Sequence, residues 1–118
     1  MQRAVLLIAA AALLTGCGSS SKTSSAPAAP VASAATVKIK NFLFVPASVT
    51  VKVGGTVTWT NQDSSEHTAT PDSGTPFADT GTLSQNQSSK AITFRTAGTF
   101  AYHCAFHAFM HGTVVVTA

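Results

Sequence analysis

The chain has 118 residues and a formal net charge of +3, a length that leaves room for one domain. Two of the basic residues, Arg3 and Lys22, lie near the start, and from Thr36 onward five basic residues face four acidic ones. Binding to nucleic acid needs clustered Lys and Arg side chains that neutralise phosphates. The sequence has no such cluster, so a nucleic-acid partner is excluded.

Residues 1–17 have the composition of a secretory signal. Arg3 precedes an apolar run that ends at Leu14, and this run is shorter than the roughly 20 residues of a membrane-spanning helix, so cleavage is expected. The following Leu14-Thr15-Gly16-Cys17 resembles the lipobox of bacterial lipoproteins. That resemblance implies a lipid anchor on Cys17 and an exported protein held at a membrane, in the periplasm or at the cell surface. An ordinary signal peptide is the alternative.

Residues 18–35 consist almost entirely of Ser, Ala, Pro, Gly and Thr. Such a composition cannot bury enough apolar surface to fold, so it predicts a flexible tether. The folded domain is therefore expected at residues 36–118, and a monomer is expected.

From Thr36 the sequence changes to short runs rich in Val, Thr, Ile and Phe, separated by Gly, Pro, Asn and Asp, which is typical of an all-β sandwich or barrel. Strands are predicted at 36–40, 49–53, 56–60, 67–70, 90–96, 99–104 and 113–117. Gly54-Gly55 lies between two alternating runs and predicts a tight hairpin.

Alternation assigns the core faces of these strands: Val49, Val51, Val53, Val57, Trp59, Ile92 and Phe94 are predicted to point inward. Loops as long as residues 71–89 are uncommon without anchors in a compact domain, and Phe77 and Leu83 are expected to fix this one to the core.

The chain has two cysteines. With Cys17 assigned to the lipid, Cys104 stands alone, so no disulfide can form within the domain. A free thiol outside the cytoplasm is open to oxidation unless it is buried or bound to a metal. The period of two along its strand places Cys104 on the inward side and His103 on the outward side.

A thiol, an imidazole and a thioether follow one another at three-residue steps in Cys104, His107 and Met110. A tight loop with that spacing can turn all three side chains toward one ion. A thiolate and two imidazoles in a plane, with a distant axial thioether, suit copper that cycles between two oxidation states. His67 is the candidate for the second imidazole.

The Cys-x-x-His-x-x-Met motif followed by Gly112-x-Val-Val-Val resembles the cupredoxins, the type 1 blue copper proteins, and within them the amicyanin and plastocyanin-like branch. Other pieces stand in the family's order: Phe42-x-Phe44-x-Pro46, Val51-x-Val53-Gly54, Val57-x-Trp59-x-Asn61, and Gly98-Thr99-Phe100-x-Tyr102-His103-Cys104. The resemblance covers residues 36–118.

The resemblance implies a Greek-key β-sandwich of about seven to eight strands with one copper ion at one end, bound by His67, Cys104, His107 and Met110. It further implies a blue one-electron carrier without enzymatic activity. The family often has Asn after the first histidine and prolines beside the second. This chain has Thr68, Phe106 and Ala108 there, which leaves the rigidity of the loop and the reduction potential open.

Several neighbours of the motif are expected to have roles other than metal binding. His103 and His111 are expected to face solvent and to bind no metal. The apolar residues Ala105, Phe106, Ala108 and Phe109 could form a patch over the edge of His107 for brief docking of a redox donor and acceptor, or could pack onto the sandwich. Phe109 is the one expected to pack.

Functions other than electron transfer make different demands on the sequence. A copper carrier or store at the cell surface would use the same ligands without redox partners, and zinc could occupy the same site. An oxidase would need an open coordination position or a second metal, for which the sequence offers no residues. A haem site would need Cys-x-x-Cys-His, and one cysteine does not suffice for an iron-sulfur cluster.

Overall fold

The computed structural model describes residues 31–118, which form seven strands and no helix. Nothing within this range could cross a bilayer as a helix. The strands are β1 (Ala32–Lys40), β2 (Leu43–Val45), β3 (Ser48–Asn61), β4 (Thr70–Pro71), β5 (Ile92–Thr93), β6 (Gly98–His103) and β7 (His111–Thr117). The proposed signal and anchor at residues 1–17, and most of the proposed tether, lie outside the described residues.

The hydrogen-bonded order of the strands is β2-β1-β3-β7-β6-β4, and β5 pairs with β3. The first half of β3, Ser48–Lys52, runs parallel to β7, and its second half, Thr56–Asn61, runs parallel to β1. One long strand therefore belongs to both layers. Aromatic rings of β2, β3 and β6 meet in the core between the layers. The ring centroid of Tyr102 on β6 lies 4.7 Å from that of Phe44 on β2 and 5.3 Å from that of Trp59 on β3.

The hairpin predicted at Gly54-Gly55 is wrong, because β3 continues through both glycines. Gly54 has a φ of 89°, which bends the strand at the point where its partner changes. At Gly55 a Cβ atom would lie 2.9 Å from the carbonyl oxygen of Lys52 and 3.0 Å from that of Ser33. Glycine is therefore required at position 55 for the close approach of β1. A glycine pair such as Gly54-Gly55 is typical of a hairpin turn, but it also permits the bend observed here.

The core contains most of the predicted inward residues. Val51, Val57, Trp59, Ile92 and Phe94 are buried, as predicted, whereas Val53 is 43% exposed. Val53 immediately precedes the bend, where the alternation of faces is interrupted. Leu83 is buried and Phe77 packs against the core with its ring stacked 5.8 Å from that of Trp59, so both anchor their loop as predicted.

Strand boundaries differ from prediction at several points. β1 begins at Ala32, four residues before the predicted start and within the predicted tether, because Ala32 and Ala34 pair with β3 across a bulge. β2 is a strand that the sequence patterns did not indicate. The strands predicted at 67–70 and 90–96 are reduced to the two-residue β4 and β5.

Candidate metal centre

The loop between β6 and β7, residues 104–110, carries three of the predicted ligands and is called the ligand loop below. Its backbone turns twice: the His107 N–H donates to the Cys104 carbonyl oxygen at 3.2 Å, and the Met110 N–H donates to the His107 carbonyl oxygen at 2.9 Å. The Cys104 N–H donates to the Met110 carbonyl oxygen at 3.2 Å, which closes the loop. His103 and His111 pair across its base.

His67 comes from a different part of the chain. Its backbone forms a two-way bridge with Leu83, in which the Leu83 N–H donates to the His67 carbonyl oxygen at 2.8 Å. Leu83 is itself part of the core. The anchored loop therefore holds His67, whose side chain has no exposed surface, at the same end of the sandwich as the ligand loop.

The side chains of His67, Cys104 and His107 converge, and one potential ligand atom from each lies within 4.8 Å of the other two. Cys104 Sγ lies 3.6 Å from Nδ1 of His67 and 3.6 Å from Nδ1 of His107. Cys104 and His67 are buried and His107 is half-buried. One sulfur and two imidazole nitrogens thus surround a common point that opens to solvent on the His107 side.

Met110 lies at the end of the ligand loop and is 2% exposed, in the same core cluster as Cys104. Its backbone bonds to both Cys104 and His107 place it next to the three converging residues. Its assignment as a ligand stays a prediction from the motif.

Thr68 connects the two segments that supply these residues. Its backbone N–H points at Cys104 Sγ at 3.4 Å, and its Oγ1 accepts a hydrogen bond of 2.8 Å from the Ala105 N–H. The hydroxyls of Thr68 and Thr70 are 2.8 Å apart. A threonine hydroxyl therefore joins the His67 segment to the ligand loop at the position where the family often has Asn.

Asp63 is the residue of the site that the sequence analysis missed. Its Oδ2 lies 2.9 Å from Nε2 of His67, on the side of the ring away from Cys104. Burial would raise the pKa of Asp63, but hydrogen bonds from the Phe42 and Asn41 N–H groups, together with His67, hold that pKa below its ordinary value. A carboxylate four residues before a candidate histidine is the signal that could have drawn attention to it.

The other two histidines of the segment lie outside the converging group. Nδ1 of His103 lies 2.6 Å from Oδ1 of Asp72, and both side chains are about one-third exposed. His111 is exposed. Their positions on β6 and β7 face away from the core because their neighbours Tyr102 and Gly112 face inward.

Aromatic rings surround the exposed side of His107. The ring of Phe42 stands edge-on to His67 at 5.2 Å and to His107 at 5.1 Å, and Phe109 stands edge-on to His107 at 5.8 Å. Phe106 is 54% exposed and Phe109 is 68% exposed. The expectation that Phe109 packs onto the sandwich is wrong, because the turns of the ligand loop direct it outward.

Comparison with known proteins agrees with this geometry. Residues 5–116 match the model of the cupredoxin-like domain family. The chain belongs to the cupredoxin-like family. It is 37% identical to amicyanin of Paracoccus denitrificans over 68% of its own length and 63% of that protein, and 34% identical to amicyanin of Paracoccus versutus over 72% of its own length and 66% of that protein. It thus spans somewhat less than two thirds of these relatives.

Solved amicyanin structures extend the likeness to the fold of this cupredoxin. A reduced amicyanin variant superposes with a TM-score of 0.65 at 32% identity, covering 75% of this chain and 91% of that one. An oxidised variant gives a TM-score of 0.65 at 34% identity, covering 71% of this chain and 82% of that one. The predicted all-β cupredoxin sandwich and its amicyanin-like character are confirmed.

Proposed function

We propose that this cupredoxin is a type 1 blue copper protein that carries single electrons and catalyses no reaction, with copper bound by His67, Cys104, His107 and Met110. The observation that supports it most is the meeting of Cys104 Sγ with one imidazole nitrogen each from His67 and His107, within 4.8 Å of one another. Two imidazoles, a thiolate and a nearby thioether are the donors that suit copper in electron-transfer sites.

The chain's own contribution is to keep these donors in place. His67 is fixed by its bridge to Leu83, and Cys104 and His107 are fixed by the closed turns of the ligand loop. Bound copper would supply a centre that gains and loses one electron. Because the donors are held by packed backbone rather than by mobile side chains alone, little rearrangement should accompany each change of oxidation state.

Electrons would pass through the edge of His107, the one member of the converging group that is not fully buried. The exposed ring of Phe109 stands edge-on to His107 at 5.8 Å, and the exposed Phe106 directly precedes His107 in the chain, so both supply apolar surface in the ligand loop. Small apolar surfaces with few charges favour short-lived contacts with redox proteins. A transient donor and acceptor are therefore the proposed partners of a monomeric carrier.

The proposed location is the outer side of a membrane, in the periplasm or at the cell surface, with the lipid attached at Cys17. The apolar run before Leu14-Thr15-Gly16-Cys17 supports this proposal. Exchange of Cys17 for Ala in the full chain should move the protein from the membrane fraction to the soluble exported fraction. Retention of the Cys17→Ala variant on membranes would refute the anchor.

Copper binding is tested on the full chain with visible and electron paramagnetic resonance spectra. The wild type loaded with Cu(II) is expected to show intense visible absorption from the copper–thiolate bond, and Cys104→Ser is expected to lose it. His111→Ala, which removes an exposed histidine seven residues away, is the matched control and should remain blue. A colourless wild type, or an unchanged Cys104→Ser variant, would refute the site.

Electron transfer is separated from copper carriage by two rates measured on the loaded wild type. An electron carrier should exchange electrons rapidly with a small redox reagent and retain its copper against a chelator. A surface carrier or store of copper should release the metal to the chelator readily and exchange electrons slowly. The second pattern would replace the proposed function with copper carriage by the same residues.

A further inference from the structure

The carboxylate of Asp63 accepts hydrogen bonds from two separate parts of the molecule. One part is the imidazole of His67, whose Nε2 lies 2.9 Å from Oδ2. The other is the turn between β1 and β2, where the Asn41 N–H donates to Oδ1 at 2.7 Å and the Phe42 N–H donates to Oδ2 at 2.9 Å. The Asp63 side chain is only 12% exposed.

The contact with His67 decides which ring nitrogen faces Cys104. Because a carboxylate only accepts hydrogen bonds, Nε2 must carry the proton and donate it. Nδ1 then presents its lone pair to the converging group, where it lies 3.6 Å from Cys104 Sγ. Asp63 therefore selects the tautomer of His67 that can bind a metal through Nδ1.

The hydrogen bonds from the turn to Asp63 stabilise a backbone conformation that is otherwise unfavourable. Asn41 has a φ of 53° and Phe42 a φ of 60°, both in the left-handed region that non-glycine residues rarely occupy. Such a conformation persists when surrounding contacts stabilise it, and here both N–H groups point to one carboxylate. This backbone turn also places the Phe42 ring edge-on to His67 and His107.

Asp63 is itself held in position by Asn61, the last residue of β3. Its N–H donates to Oδ1 of the fully buried Asn61 at 2.9 Å. The Asn61 amide donates in addition to the carbonyl oxygens of Ser65 and Leu83, each at 2.8 Å. The carboxylate is therefore fixed relative to the same Leu83 that pairs with His67, so its distance to the imidazole is set by the core.

We propose that Asp63 is a positioning residue that fixes the tautomer of His67, holds Phe42 over the site and lowers the reduction potential of the bound copper. This proposal rests on the proposed function. A carboxylate bonded to the outer nitrogen of a histidine ligand makes the ligand more basic and brings negative charge near the metal. Both effects stabilise Cu(II) relative to Cu(I), because the more highly charged ion gains more from each.

The first test is the reduction potential of Asp63→Asn, which keeps the size of the side chain and removes its charge. The preference of the site for Cu(II) over Cu(I) should fall by about tenfold, which raises the potential by about 59 mV for a one-electron couple. Asp72→Asn is the matched control, because it removes the same charge from a carboxylate bonded to the non-ligand His103. Equal potentials in the two variants would overturn the proposal.

The second test uses the metal-free protein. Nitrogen NMR of His67 should show a proton on Nε2 in the wild type and a mixture of tautomers in Asp63→Ala. Hydrogen exchange at the Asn41 and Phe42 amides should speed up in Asp63→Ala and stay unchanged in Asp72→Ala. An unchanged tautomer and unchanged exchange would overturn the proposal even if the wild type is blue. A colourless wild type would refute the copper function while leaving these two measurements valid.

Discussion

The two halves of the metal centre are built in different ways. The ligand loop places Cys104, His107 and Met110 within seven consecutive residues, joined by backbone hydrogen bonds of 2.9 to 3.2 Å. Opposite it stands the Asp63 cluster, defined as Asn41, Phe42, Asn61, Asp63 and His67, whose contacts join residues up to 22 positions apart. The local half is encoded by spacing, whereas the distant half exists only after the sandwich has formed.

The residues of the ligand loop and the residues that support His67 should therefore respond differently to substitution. A substitution in the ligand loop should alter the metal site and leave the stability of the domain nearly intact wherever the side chain is exposed. A substitution in the Asp63 cluster should alter stability as well, because Asn61 and His67 are fully buried and the Asn61 and Asp63 side chains bond backbone atoms of several segments.

Asn61→Ala should be the most damaging change in the Asp63 cluster. It leaves the carbonyl oxygen of Ser65 and the N–H of Asp63 without their partner, and leaves the carbonyl oxygen of Leu83 with the His67 N–H as its remaining donor. At about 1 kcal/mol or more for each lost hydrogen bond, the free energy of unfolding of the metal-free protein should fall by about 2 to 3 kcal/mol. Urea denaturation measures this loss.

Gln62→Ala is the control for Asn61→Ala, because Gln62 is the next residue and its side chain is exposed. It should unfold at nearly the wild-type urea concentration. If Asn61→Ala unfolded there as well, the distant half of the site would be no more dependent on the core than the ligand loop, and the contrast would disappear.

The protein should lose stability at alkaline pH because of Tyr102, which lies on β6 below the ligand loop. Burial raises the pKa of Tyr102 to about 12 from its ordinary 10.0, and the nearby Trp59 indole opposes that rise only in part. The folded state therefore retains the proton where the unfolded state loses it. Stability from this group is complete below pH 10 and is lost as pH rises to about 12, an effect of about 2 to 3 kcal/mol.

Tyr102 is the one tyrosine of the chain, so its ionisation can be followed by ultraviolet absorption without interference from another phenol. The metal-free wild type should titrate near pH 12 while folded, and Tyr102→Phe should lack this part of the alkaline destabilisation. Since Tyr102 Oη is buried without a hydrogen-bond partner, the phenylalanine variant should also be no less stable at neutral pH. Titration near pH 10 in the folded protein would contradict the burial.

Thr68→Val removes the hydroxyl that joins the two halves. The Ala105 N–H loses its acceptor at 2.8 Å, so the free energy of unfolding should fall by about 1 to 2 kcal/mol and the Ala105 amide should exchange faster. Hydrogen exchange by NMR measures both. Thr113→Val on β7 is the control, and similar exchange at Ala105 in the two variants would show that the halves are joined by other contacts.

Phe106→Ser should have the smallest effect on stability. The ring is 54% exposed, so the free energy of unfolding should change by less than about 0.5 kcal/mol. Electron self-exchange of the copper protein, measured by NMR line broadening, should nevertheless slow because the apolar surface beside His107 is reduced. Val53→Ser, at an exposed position beside the bend in β3, should leave the exchange rate unchanged. A rate unaffected by Phe106→Ser would place the docking surface elsewhere.

The parts of the molecule that could be predicted from the sequence are those with local signals. Alternation indicated the burial of Trp59 and Phe94, and three-residue steps indicated the ligand loop. The bend at Gly54-Gly55 was mistaken for a hairpin because a glycine pair permits either conformation, and only the pairing of β3 with both β7 and β1 distinguishes them.

The position of Asp63 could not be predicted for a different reason. Its partners Asn41 and Phe42 lie more than 20 residues earlier, in a turn whose left-handed backbone is common for Asn but not for Phe. Phe109 was misjudged because apolar character alone does not say whether a loop residue faces the core. In both cases the outcome depends on tertiary contacts that leave no periodic trace in the sequence.

The most direct test of the central claim is a crystal structure of the copper-loaded protein with the metal located by its anomalous scattering. We expect one copper ion bonded to Cys104 Sγ and to Nδ1 of both His67 and His107, with Met110 as the more distant fourth ligand. Copper bound away from Cys104, for example on the exposed His111, would contradict it.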